Sequence, residues 1–322
     1  MKGTPLNISR AFCHDDAFIL NTAPEYRKRH IELLCSAVGL RKMFESVAFV
    51  GGGIMGEAMV QGLLSRKLVI PNKVIVAEPR EGRRKELQQK HGVRVTADNR
   101  EAAQSAEVVV LAVKPQDLAS VLSELKGALR PAQMVMSIVA GASISMIRKQ
   151  LGNGSIVRVM PNSPAQIGEG ITVWTATADI SKPQLEQAKT LLQALGKEIY
   201  MHDEKFLDMA TAVSGTGPTY VFLVMEAMID AAVHLGFPRH VAYELVTETI
   251  RGSITFAMKS GKHPAELRNM VTSPGGTSAE ALYELEKGNL RTVLSKAIWA
   301  AYHRSRSLGE EEESRYMQRE QN

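Results

Sequence analysis

From Val47 to about residue 200, short apolar runs alternate with longer stretches whose apolar residues recur every three or four positions. The runs VAFVG, KVIVAE, VRVT, EVVVLAV, QMVMSIVAG and SIVRVM predict strands, and EVVVLAV is apolar enough to be buried on both faces. Between them, EAMVQGLLSRKL, GRRKELQQKHG, REAAQSA, DLASVLSELKGAL and ISMIRKQLG have the spacing of amphipathic helices. Such alternation implies an α/β fold with a parallel, doubly wound sheet. ITVWTATA, a helix across QLEQAKTLLQALG, and KEIYM close this part.

After about Lys205 the strand pattern stops. FLDMATAV, PTYVFLVMEAMIDAAVHLG, PRHVAYELVTETIRGSITFAMKSG, PAELRNMV, SAEALYELEKG and LRTVLSKAIWAAYHRSRSLG all read as helices. Their long apolar faces predict packing beyond one chain, hence a homodimer or larger homo-oligomer. The expected organisation is an extension over 1–44, an α/β domain over 45–206, an all-helical domain over 207–309 and a tail over 310–322. The tail is polar and expected to be disordered.

Composition narrows the function classes. The chain has 322 residues, a hydrophobic content of 44% and a net charge of +5. Residues 1–44 hold seven Lys/Arg and four acids, which leaves only +2 for the remainder. No basic stripe marks the folded body as a nucleic-acid surface. No uninterrupted apolar run reaches the roughly 18 residues of a membrane span, so no membrane partner is expected. Both cysteines, Cys13 and Cys35, lie in the extension, and the eight histidines show no HxxxH or HxH spacing. No metal site is therefore expected. The extension has no clear secretory h-region with a cleavage site, and it carries more acid than transit peptides usually do. It is read as lying outside the fold, disordered or untranslated, with organelle targeting as the alternative. The expected location is the cytoplasm.

Gly51-Gly52-Gly53-Ile54-Met55-Gly56 is GxGxxG between a strand and a helix. In that context the pattern predicts a Rossmann-type dinucleotide site. Gly51 permits the tight turn, Gly53 the approach of a pyrophosphate and Gly56 close helix–strand packing. Glu78 ends the second strand, where an acid binds the ribose diol of NADH. Arg80, Arg83 and Arg84 follow, and an arginine there neutralises the 2′-phosphate of NADPH. The two signals conflict; NADPH is the preferred cofactor and NADH stays possible. Ala112-Val113-Lys114-Pro115 ends the fourth strand at the carboxyl edge of the sheet, where ligands of such folds sit, and is assigned to the cofactor.

The stretch SPGGTSAEA, Ser273 to Ala281, is uncharged until Glu280. It offers backbone N–H groups, two hydroxyls and the start of a helix, which are the means of holding an anion.

Three segments, VRVMPNSPAQIGEGIT, SGTGPTYVF and VTSPGGTSAEAL, together with the glycine loop and AVKP, resemble pyrroline-5-carboxylate reductase. The resemblance runs from about Val47 to Leu308. It implies NAD(P)H-dependent reduction of the cyclic imine 1-pyrroline-5-carboxylate to L-proline. It implies a Rossmann domain and a helical domain that builds an interlocked dimer, often assembled further. It places Gly275, Gly276, Thr277 and Ser278 at the substrate carboxylate, and Ser278 as the catalytic hydroxyl near the ring nitrogen. It also places Asn99, Ala112, Lys114 and Pro115 near the cofactor, with Ile54 and Met55 in the glycine loop. The family usually has Thr where this chain has Ser278, and often Thr where it has Ser163.

Two other readings compete. β-Hydroxyacid dehydrogenases share the loop and a helical domain but carry a catalytic Lys after a GxG. The run from Gly215 to Val221 has no Lys. A non-catalytic NADP sensor would have a broken substrate loop, and SPGGTS is intact. Trp174, Trp299, Met225 and Met228 are read as packing residues, and His234 and His240 as surface groups. Glu226 is left open between a dimer contact and an active-site neighbour.

Overall fold

A computed structural model describes residues 44–152 and 154–320. The expectations for residues 1–43 lie outside these. Phe44, assigned above to the extension, is 1% exposed and packs in the core, so it belongs to the folded body.

The first domain is one eight-stranded sheet. Its strands are β1 (Val47–Val50), β2 (Val74–Ala77), β3 (Arg94–Thr96), β4 (Val108–Leu111), β5 (Met134–Ser137), β6 (Ile156–Met160), β7 (Gly170–Ala176) and β8 (Gly196–Tyr200). They lie in the order β3-β2-β1-β4-β5-β6-β7-β8. β1, β2, β4 and β5 are buried at every position, as strands covered on both faces must be. The covering helices are α1 (Ile54–Ser65), α2 (Glu81–His91), α3 (Asn99–Gln104), α4 (Pro115–Leu125), α5 (Ile144–Leu151) and α6 (Lys182–Gln193). Two apolar clusters form, one on each side of the sheet. Trp174 belongs to one of them, 2% exposed, with its indole N–H donating to Glu198 at 2.7 Å.

One strand departs from the parallel pattern. β7 runs antiparallel to β6. Only nine residues, 161–169, join them, and they hold a single 3-10 turn, Ser163–Ile167. A parallel return needs a crossover of about a dozen residues or more, so the short connection enforces the reversal.

Beyond the sheet come α7 (Lys205–Ala210), a π turn over Thr211–Gly215, α8 (Gly217–His234), α9 (Arg239–Ser260), α10 (Pro264–Met270), α11 (Thr277–Lys287) and α12 (Leu290–Glu320). The segment read as disordered, 310–322, is thus helical as far as Glu320. Pairs such as Arg304–Glu311 and Arg306–Glu310 stitch successive turns of α12 and favour helix there. α8 and α9 pack on each other, yet α8 buries only Ile229, and α9 only Ala242 and Val246. Phe222, Leu223, Leu235, Ile254, Phe256 and Met258 stand exposed, as do Met228 and Trp299. The run Lys205–His234 is, by length and composition, long and apolar enough to cross a bilayer. Exposed apolar area on this scale marks an interaction face.

Candidate functional site

The strand order reverses between β1 and β4, and the crevice at their carboxyl ends is where such sheets bind ligands. The glycine loop crosses it. Gly51 has φ +106°, and a Cβ there would lie 2.6 Å from the Ala112 carbonyl oxygen. GxGxxG and AVKP are therefore in direct contact. Gly56 is equally confined, since a Cβ would meet the Gly51 carbonyl oxygen at 2.6 Å. Gly53 differs: its backbone is ordinary extended (φ −70°, ψ −178°), and nothing lies within 4 Å of a Cβ placed on it. The chain itself does not require glycine at position 53. The open space lies at the N-terminus of α1, which Gly53 caps with no side chain. An uncapped helix start facing a cleared space fits a pyrophosphate.

The other residues assigned above to the cofactor stand in varying states. Ile54 is exposed and Met55 half-buried against the core. Lys114 is exposed at the N-cap of α4, with Pro115 as its first residue and Val113 half-buried beside it. Asn99 opens α3, and its amide donates to Glu124 at 2.7 Å.

The three arginines separate clearly. Arg83 Nε donates to the Gly52 carbonyl at 2.8 Å, and its other nitrogens pair with Glu57 and Glu86. Arg84 donates to the carbonyls of Glu78 and Pro79, each at 2.7 Å. Both are spent on holding the loops. Arg80 is 70% exposed at its side chain and leans back on Glu78, Nε to Oε1 at 2.8 Å. Glu78 is 4% exposed and accepts the Gly52 N–H at 3.2 Å through its other oxygen. Burial pushes its carboxyl up, but the hydrogen bonds from Arg80 and Gly52 outweigh this and hold it below the usual carboxylate range. Glu78 therefore braces the glycine loop, which spacing alone did not reveal.

Glu57, also absent from the sequence reading, sits in the first turn of α1. It takes Arg83, Lys90 and His91 as partners. Burial raises its pKa, but the hydrogen bonds from His91, Lys90 and Arg83 and the Arg83 charge outweigh this, and it falls to about 2. A depressed carboxylate stabilises the fold fully above its unfolded value and loses that contribution as pH falls towards the folded one. The window here is pH ~4.5 down to ~2. Glu57→Gln is expected to cost about 2 kcal/mol at pH 7 after discounting for partial solvation. Urea unfolding of both proteins at pH 7 and pH 3 checks this. The gap should narrow in acid; a gap of constant size would assign the effect to packing.

The second half of the site lies in the helical domain. Ser273-Pro274-Gly275-Gly276 is a tight turn closed by Gly276 N–H to the Ser273 carbonyl at 3.1 Å. Gly275 has φ +71° after proline, the arrangement of a type II turn. Gly276 then caps α11 without a side chain, leaving the first-turn N–H groups to a ligand. Ser278 is half-buried, whereas Thr277 is exposed. α11 packs chiefly on α12. No hydrogen bond joins residues 273–278 to the cofactor crevice of the same chain among the described residues.

The motifs MPNSP and SGTG, far apart in sequence, do meet. A Cβ on Gly215 would lie 2.6 Å from the Met160 methyl. SGTG forms the end of the π turn, with Thr216 N–H and hydroxyl both donating to the Thr211 carbonyl. π turns concentrate at functional positions. Two glycines before a proline are its only mark in the sequence. Glu226, His234 and His240 are exposed.

Comparison with known proteins agrees with this arrangement. Residues 204–308 match the family described as pyrroline-5-carboxylate reductase dimerisation, and residues 46–141 match NADP oxidoreductase, coenzyme F420-dependent. Pyrroline-5-carboxylate reductase from Synechocystis is 42% identical over 264 residues, covering 82% of this chain and 98% of that protein. A crystal structure of pyrroline carboxylate reductase from Plasmodium falciparum, with NADP bound, has a TM-score of 0.76 at 30% identity, covering 82% of this chain and 98% of that one. The Coxiella burnetii reductase gives 0.74 at 37% identity over 82% of this chain and 98% of its own. This chain therefore belongs to the pyrroline-5-carboxylate reductase family of NAD(P)H-dependent oxidoreductases.

Proposed function

We propose that the chain reduces 1-pyrroline-5-carboxylate to L-proline with NADPH in preference to NADH, and does so as a homodimer or larger homo-oligomer. The observation that carries the substrate is the SPGGTS turn. It presents a helix N-terminus with no side-chain cap, and Glu280 is the one charge in its first turn, an arrangement suited to a single carboxylate. A bound reduced nicotinamide supplies the hydride, which goes to the imine carbon, while the ring nitrogen ends with a proton. The residues of this chain need only hold the ring carboxylate, orient the nitrogen through Ser278 and exclude alternatives. Positioning of this kind accounts for much of the rate in such reactions.

The exposed faces of α8 and α9, which lie inside the segment matched to dimerisation, support the oligomer. The same match supports reading Lys205–His234 as an interface helix rather than a membrane span. NADPH is favoured because Arg80 alone of the three arginines has an exposed guanidinium.

The test is the near-ultraviolet absorbance of NADPH or NADH with purified protein and 1-pyrroline-5-carboxylate. Loss of absorbance that depends on the imine is expected, faster with NADPH. Arg80→Ala should weaken NADPH by about 1.5–3 kcal/mol, the worth of a hydrogen bond to a charged group, and leave NADH nearly unchanged. Equal losses for both cofactors would place Arg80 in loop support with Arg83. No turnover with either cofactor would remove the reductase reading.

A further inference from the structure

Arg158 lies on β6, in the interior of the sheet, with a side chain 6% exposed. A guanidinium stays charged in such a place, so it must be paired. One terminal nitrogen donates to Glu204 Oε1 and the other to Asp208 Oδ1, each at 2.8 Å. Each carboxylate oxygen takes a second donor. Glu204 Oε1 accepts the N–H of Ile144, the first residue of α5, at 2.8 Å. Asp208 Oδ1 accepts the hydroxyl of Ser305, itself 2% exposed, at 3.1 Å. One guanidinium thus ties β6, the start of α5, the end of the interdomain link with α7, and α12.

Its place along the chain gives it a second consequence. Arg158 and Met160 are two apart on β6 and share a face. Met160 fills the space beside Gly215. Asp208 stands three residues before the π turn, and Gly215 ends it. β6 therefore grips the helix on both sides of the π turn, by an ion pair on one side and a methionine on the other. The strand then runs into MPNSP, and the turn into SGTG.

We propose that Arg158 is a positioning residue for hydride transfer. Through Glu204 and Asp208 it fixes the SGTG turn against MPNSP and seats the helical domain on the cofactor domain. The proposal rests on the reductase reading above. Well-packed apolar side chains often hold a junction at least as firmly as a buried ion network, so stability alone does not explain this one. What the fork adds is a fixed angle and distance, and displacing reacting groups by about 1 Å costs on the order of a hundredfold in rate.

The test uses the full chain. R158K keeps the charge and loses the planar fork that meets two carboxylates. The measurements are the NADPH dissociation constant by fluorescence titration, the melting temperature, kcat and KM for 1-pyrroline-5-carboxylate, and the isotope effect with NADPH deuterated at the transferred position. The expected kcat falls roughly tenfold or more, the NADPH dissociation constant stays within about twofold, and the isotope effect grows as hydride transfer becomes limiting. A second variant, R158M with E204Q and D208N, removes all three charges together. It should recover the melting temperature without recovering kcat. If kcat returns with stability, or if R158K retains the wild-type kcat and isotope effect, the group is structural only and the proposal is overturned. R158K alone decides if the triple variant does not fold. Absence of turnover in the unmodified enzyme would remove the reductase reading and this proposal with it.

Discussion

Ser278→Ala is expected to lower kcat/KM for 1-pyrroline-5-carboxylate on the order of a hundredfold, about 2.7 kcal/mol, the cost typical of removing one donor aimed at developing charge. The substitution takes away a hydroxyl and nothing else. The turn that shapes the loop is closed by Gly276 and Ser273, and its positive φ is at Gly275. Its geometry therefore survives, and with it the backbone N–H groups for the carboxylate. The cofactor crevice is built from a different domain, so NADPH affinity should not change. Thr277→Ala removes the neighbouring hydroxyl, also assigned to the carboxylate, and should cost less, since Thr277 is exposed where Ser278 is half-buried. Ser278→Thr should retain full activity, because the added methyl restricts the rotamer without removing the hydroxyl. Steady-state kinetics of the three variants, with NADPH binding measured separately, separate these outcomes. Equal loss in both alanine variants would point to the loop as a whole, and unchanged kcat/KM in Ser278→Ala would take the hydroxyl out of the reaction.

The cofactor half of the site was legible because its rules are local. A strand, a glycine turn and a helix start are fixed by neighbours in sequence, so GxGxxG could be placed on them before any contact was known. What the same residues do to one another was not local. Glu78 and Arg80 looked like rival cofactor ligands, yet Glu78 also holds Gly52 and Arg80. Arg83 was one of three arginines offered to a 2′-phosphate, yet it reaches across to the glycine loop and Glu57. Such pairings depend on how α2 lies against α1, which no periodicity encodes. The antiparallel β7 was hidden in the length of a connection rather than in its composition. The π turn at SGTG has no propensity signature, and its end, Gly215, lies against Met160 of the other domain. Trp299, read as a packing residue, is 58% exposed in the single chain. α8 and α9 are equally bare, and nothing among the described residues of a single chain covers them. The polar tail was misjudged for a related reason. Charge argued for disorder, whereas the spacing of those charges along α12 supports the helix.

Gly51→Ala and Gly53→Ala should fail in opposite ways, although both remove a glycine from the same loop. At Gly51 the fold itself objects. The backbone has φ +106°, and the new methyl would lie 2.6 Å from the Ala112 carbonyl oxygen and 3.0 Å from the Val113 nitrogen. Both are backbone atoms of the segment that follows β4 directly, so neither can yield cheaply. Left-handed strain and overpacking together are expected to cost roughly 2–5 kcal/mol of stability in the absence of any ligand. At Gly53 the backbone is ordinary and the space around a Cβ is empty. The apo protein should melt within a few degrees of the parent, since nothing clashes and exchanging Gly for Ala at this N-cap costs only about 0.5–1 kcal/mol. Its main loss should appear only with cofactor. A ligand at a hundredfold excess over its dissociation constant stabilises by about 2.7 kcal/mol, and a methyl in the pyrophosphate space should erase most of that gain. Thermal unfolding of both variants, with and without saturating NADPH, reads the two effects independently. If Gly53→Ala gains as much from NADPH as the parent does, the pyrophosphate does not lie over Gly53, and the open space at the start of α1 needs another occupant.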